Sequence, residues 1–126
     1  KPSDNITMNR ERLLTDAKLR ARALADAGYA PPVPRSDIAA PGVNALATLK
    51  LAVWTMHEGQ YISDHDAKVA NWVAYALCGG KVTPGTLVSE QYLLDLEREA
   101  FLSLCGQKKT LERLQSVLTT GRAVRN

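Results

Sequence analysis

Two groupings of residues in this chain have side chains suited to chemistry. The first is "SDHD", where His65 stands between Asp64 and Asp66, with a second histidine, His57, shortly before it. Imidazole and carboxylate are common zinc ligands and common partners in proton transfer. The second is "DLERE", in which Asp95, Glu97 and Glu99 offer closely spaced carboxylates of the kind used for acid and base work. Each grouping depends on the element that carries it. Consecutive residues on a helix point about 100° apart, so Asp64, His65 and Asp66 cannot converge on one ion. Asp95 and Glu99, four apart, share a face, whereas Glu97 lies about 200° from Asp95, which is poor geometry for a dyad.

The bland readings account for these residues better. Ser63 and Asp66 form an S-x-x-D capping box, and Asp64 adds negative charge at the positive end of the helix dipole. His57 falls near the end of the preceding helix, where its charged form suits the dipole. His57 and His65 could meet across the turn, but they lack the further spacing of a ligand set. A carboxylate of "DLERE" can pair with Arg98 or with Arg113. The sequence holds no Gly-rich phosphate loop, no G-x-S-x-G and no Ser, His and Asp constellation. From the residues alone, no catalytic and no metal site is expected.

The elements that position these groups are helices. Hydrophobic residues make up 45% of the chain and aromatics only 6%, so Leu, Ala and Val must build the core, which favours packed helices over a sheet. From Met8 to Ala27, apolar residues recur at three- and four-residue steps, and Gly28 stands where a C-terminal cap belongs. "YAPPVPRSD" carries three prolines and reads as an extended connector, 30–41. Helical spacing returns over Gly42–Glu58 with Gly59 at the end, and again from Asp64 until Gly79 and Gly80. "KVTPGT" is a turn with Pro84 and Gly85 at its centre. Ser89 can cap a fourth helix ended by Gly106, and Thr110 a fifth closed by Gly121. The expectation is an all-α fold of about five helices in one compact domain, 1–126. Leu13, Leu24, Leu46, Val53, Val73, Leu94, Phe101 and Leu114 are expected to be buried, because each lies on a repeating apolar face.

Charge and cysteine content narrow the function classes. Sixteen Lys and Arg against 13 Asp and Glu leave a net charge of +3. The bases are interleaved with acids, as on a solvated helix face, and no aromatics alternate with them, which argues against nucleic acid as a partner. No apolar run reaches the roughly 18 residues of a membrane span. Cys78 and Cys105 have neither CxxC nor metal-ligand spacing and read as reduced, buried core residues. With no signal peptide or cysteine framework, a reducing, cytoplasmic compartment is expected. The chain opens on Lys1 rather than methionine, as a cut piece would.

The tail "SEQYLLDLEREAFLSLCGQKKTLERLQSVLTTGRAVRN", with "GYAPPVPR", "LATLKLAVWTMHEGQYISDHD" and "YALCGG" upstream, resembles the carboxyl-terminal part of bacterial multifunctional 3-hydroxyacyl-CoA dehydrogenases that carry a crotonase-type (enoyl-CoA hydratase) domain. The resemblance runs over nearly the whole chain from about Met8, and no single motif in it is diagnostic. It implies a helical segment closing a fatty-acid β-oxidation enzyme, with the dehydrogenase and crotonase parts, their catalytic groups and their NAD and CoA thioester sites upstream. No cofactor is implied in this chain itself. Crotonases end on a helix resembling "AFLEKRKP", whose aromatic and lysine contact CoA; the corresponding run here is "SVLTTGRA". Val117 stands at the aromatic position and Thr120 at the lysine position, which departs from that pattern and leaves Arg122 as a CoA phosphate partner. The resemblance further implies that Leu111, Leu114, Val117 and Leu118 dock the last helix onto the upstream domains or a second copy. The competing class is a free-standing helical interaction module engaging nucleic acid through its mildly basic surface.

Overall fold

A computed structural model describes residues 4–126, so the first three residues of the expected domain lie outside the described part. The fold is all-α: five α-helices, with one 3-10 turn and one two-stranded sheet among the described residues. The chain divides into two compact units, 1–33 and 34–126, with the boundary inside the Pro-rich connector.

The first unit holds a 3-10 turn, Arg10–Arg12, running into α1, Leu13–Asp26. The Asn9 side chain accepts from the Glu11 amide at 2.9 Å and supplies the cap. At the other end Gly28 takes φ +75°, and the Tyr29 amide reaches back to the Leu24 carbonyl at 3.0 Å, closing the helix in the left-handed manner glycine permits. No residue of α1 is buried. Leu13 and Leu24 are exposed, contrary to the periodicity-based expectation, since their apolar face has no covering partner within this unit.

In the second unit α2 (Gly42–Glu58), α3 (Asp64–Leu77), α4 (Glu90–Cys105) and α5 (Lys108–Thr120) pack as successive neighbours. The connector does more than span: β1, Ile38–Ala39, pairs antiparallel with β2, Leu87–Val88, with Ile38 opposite Val88. That sheet brings the turn after α3 against the start of α2. The Gly42 amide donates to the Cys78 carbonyl and the Val43 amide to the Val82 carbonyl, both at 2.9 Å, so backbone rather than a side chain satisfies the first turn of α2. At its far end α2 closes on Gln60, which holds φ 58°, while Gly59 keeps an ordinary helical value.

Leu46, Ala74 and Cys78 form the centre of the core, flanked by Ala45 and Tyr75. Small side chains on α3 let α2 and α4 each approach it closely, and Leu96 and Ala100 of α4 are buried as well. Of the expected core residues only Leu46 is fully buried; Val53 is half-buried, and Val73, Leu94, Phe101 and Leu114 are exposed. Their faces are apolar, but the described residues supply nothing to cover them. Both cysteines are free; Cys78 is buried, whereas Cys105 is only half-buried at the end of α4.

Candidate functional site

The end of α2, the start of α3 and α5 bring the sequence's histidines together with three carboxylates and an arginine. His57, one residue from the end of α2, places Nε2 at 2.7 Å from Asp64 Oδ1 and Nδ1 at 3.5 Å from Glu58. The hydrogen bond to Asp64 raises the His57 pKa above its usual value and lowers that of Asp64. Both imidazole nitrogens face carboxylates, which favours the charged ring, the form without a lone pair for a metal.

His65, the next residue after Asp64, points elsewhere. It is 2% exposed, and its Nε2 lies 3.0 Å from Thr110 Oγ1 on α5. Burial, then the charges of Arg113, Lys109 and Lys68, push its pKa down and favour the neutral ring. Thr110 therefore does not cap α5, as its residue type suggested; the helix begins at Lys108 and Thr110 serves an interhelical bond instead.

Asp66 completes the capping box with Ser63, and its other oxygen accepts from Arg113 at 2.8 Å. Backbone donation from Ser63 and the Arg113 guanidinium lower its pKa to about 2. Arg113 also donates from Nε to Asn126 Oδ1 at 2.8 Å and from Nη2 to the Asn126 carbonyl at 3.1 Å, an oxygen that Ser63 Oγ reaches at 2.9 Å. Ser63, Asp66 and Asn126 wall a cleft of about 630 Å³ together with His57, Tyr61, Asp64 and Arg125 among others.

The three residues of "DHD" thus engage three different partners, as their angular separation on a helix requires. His57 and His65 do not share a partner. The carboxylates of "DLERE" do not converge either. Asp95 accepts from Gln91 at 2.9 Å and from Arg98 at 3.1 Å on its own helix, and Arg113 goes to Asp66 instead. Among the described residues no three metal-ligating side chains gather. Sequence reading missed the Arg113–Asp66 and Thr110–His65 pairs, because their partners lie more than 40 residues apart and carry no local signature.

Two apolar surfaces accompany this charged corner. Val73, Leu77, Leu94 and Phe101 line a groove of about 780 Å³ between α3 and α4. On α5, Leu111, Leu114, Val117 and Leu118 are all exposed. Arg122 follows that helix; its carbonyl accepts from Ser116 Oγ at 2.7 Å, and its guanidinium meets no carboxylate within ion-pair distance among the described residues.

The fold and its corner define an all-helical chain whose charged groups serve helix caps and interhelical pairs. Over all of its 126 residues the chain is 46% identical to a probable 3-hydroxyacyl-CoA dehydrogenase of Bacillus subtilis (strain 168). It spans 16% of that relative's length. No family model matches the chain, and no solved structure does. The similarity agrees with the dehydrogenase part of the resemblance read from the sequence; the relative's name says nothing of a crotonase part. Among the described residues no helix is long and apolar enough to cross a membrane.

Proposed function

We propose that this chain is a non-catalytic helical segment of a longer, cytoplasmic 3-hydroxyacyl-CoA dehydrogenase, in which it supports packing of the catalytic parts. The observation that carries this reading is 46% identity along the full 126 residues, with only 16% of the relative covered. A relative of that proportion is on the order of 790 residues long. Single hydrophobic cores stop growing near roughly 250–300 residues, so such a polypeptide has room for several domains, including the crotonase-type part that the resemblance implies. NAD and the acyl-CoA thioester would bind in those other parts.

The exposed stripe of α5 supports the positional role. Leu111, Leu114, Val117 and Leu118 repeat at helical spacing yet stay uncovered, as expected of a face that meets another domain or a second copy. Arg122, with its free guanidinium, is the CoA phosphate contact in this reading.

The test is made in the full-length enzyme. Leu114→Ala with Leu118→Ala should loosen assembly, read as a fall in oligomeric mass or a rise in protease sensitivity, and lower acyl-CoA turnover. Arg122→Ala should have a smaller effect confined to CoA affinity. A reading frame lacking dehydrogenase sequence outside this segment, or unchanged assembly and turnover in the double variant, would overturn the proposal.

A further inference from the structure

The face shared by α3 and α4 is apolar and uncovered. Val73 and Leu77 from α3 and Leu94 and Phe101 from α4 wall its groove of about 780 Å³. These four side chains are between 47% and 67% exposed, whereas Leu96 and Ala100, on another side of α4, are buried. An apolar concavity between two helices is a place where a further helix lays its own apolar side. Glu97 and Arg98 bring opposite charges to the same groove.

The order of residues on α4 points to the surface that covers it. About the midpoint between Glu97 and Arg98 the helix repeats in reverse: Leu94 stands three positions before Glu97 and Phe101 three after Arg98, with Leu93 and Leu102 one position further out. Two such helices laid antiparallel about a twofold axis through that midpoint set Glu97 of each copy opposite Arg98 of the other, and Leu94 opposite Phe101, each pairing made twice. Sliding one copy by a single position opposes Glu97 to Glu97 or Arg98 to Arg98, and that repulsion fixes the register. Both charges are available. Glu97 meets no Lys or Arg within ion-pair distance among the described residues. Arg98, its side chain 65% exposed, engages Asp95 through Nη1 at 3.1 Å, which leaves Nε and Nη2 for a second carboxylate. A surface on a different domain has no use for this reversal symmetry; a second copy requires it.

We propose that a second copy of this chain covers the groove, the two α4 helices crossing antiparallel about a twofold axis between Glu97 and Arg98. The Leu94–Phe101 ridge of each copy enters the groove of the other against Val73 and Leu77, and the two Glu97–Arg98 pairs close the rim. This contact uses none of the α5 stripe. The segment thereby joins two polypeptides through α4 and keeps α5 for the catalytic parts.

The test uses the full-length enzyme, with self-association followed by sedimentation. Glu97→Arg opposes Arg to Arg across the axis and Arg98→Glu opposes Glu to Glu, so each alone should raise the dissociation constant by about tenfold or more. Both residues are exposed, so neither variant disturbs the core. Mixed in equal amounts, the two variants present Arg against Glu at both pairs and should re-associate, as should Glu97→Arg with Arg98→Glu in one chain. Where a further interface also holds the copies together, Glu97→Cys reads this contact directly: its two sulfurs meet beside the axis and should form a disulfide between copies that the unsubstituted enzyme lacks. A monomeric enzyme, a mixture that stays dissociated, or a Glu97→Cys protein without that disulfide would overturn the proposal. In the last case a thiol closed to maleimide assigns the groove to another domain of the same polypeptide, and one open to maleimide leaves it uncovered.

Discussion

The Arg113 guanidinium lies 2.8 Å from the Asp66 carboxylate, with about a fifth to a quarter of each side chain exposed, and joins α5 to the first turn of α3. No residue of α5 is buried, so this pair, the Thr110–His65 bond and the hydrogen bonds to Asn126 hold the helix through polar groups rather than apolar packing.

A double-mutant cycle with Asp66→Asn and Arg113→Gln should therefore return a coupling of about 1 to 2 kcal/mol in urea unfolding, above the usual value for an exposed pair. Coupling near zero would mean that α5 is held by something else.

The same carboxylate sets an acid dependence. Asp66 has its pKa lowered from 3.8 to about 2, so the unfolded chain binds the proton more readily. Its contribution is present above about pH 4 and fades as pH falls toward 2. Stability curves of the protein and of Asp66→Asn should converge over that window and run parallel above it.

The two histidines should titrate on opposite sides of 6.5. His57, paired with Asp64, is shifted up; its stabilising contribution is complete below 6.5 and lost as pH rises through its folded pKa. His65, buried beside cations, is shifted down; its neutral form stabilises above 6.5, and that advantage is lost as pH falls toward its folded pKa. NMR titration of the two ring protons measures both directions, and Asp64→Asn should bring His57 back toward 6.5 without moving His65 comparably.

Burial separates leucines that periodicity treats alike. Leu46→Ala, at 5% exposure, should cost about 2 to 5 kcal/mol, whereas Leu118→Ala, at 82%, should change the stability of this chain by less than about 0.5 kcal/mol. Thermal or denaturant unfolding of both variants decides it.

Two glycines with similar backbone angles should respond differently to alanine. Gly42 has φ +72°, and an added Cβ would lie 2.6 Å from the Pro84 nitrogen and the Val82 carbonyl oxygen; Gly85, at φ +83°, faces open space. Gly85→Ala should cost about 1 to 2 kcal/mol from the left-handed backbone alone. Gly42→Ala should exceed it by about 1 to 3 kcal/mol from the clash, as judged by the difference in unfolding midpoints.

What the sequence determined by itself was local. The Ser63–Asp66 capping box, the Ser89 cap, the Pro84–Gly85 turn and the bounds of α2 and α3 follow from residues within a few positions of one another, where hydrogen-bond geometry leaves little choice. The separation of Asp64, His65 and Asp66 onto different partners was likewise legible, since helix geometry alone forbids their convergence. Tertiary structure decided the rest. Thr110 has the residue type of a cap, but the buried His65 ring needed a hydrogen-bonding partner and took it. The connector's prolines announced extended backbone without revealing that Ile38 pairs with Val88. Periodicity showed that Val73, Leu94, Phe101 and Leu114 share apolar faces, and those faces are exposed. A helical repeat specifies which side of a helix avoids water; only packing against another surface determines whether anything covers it.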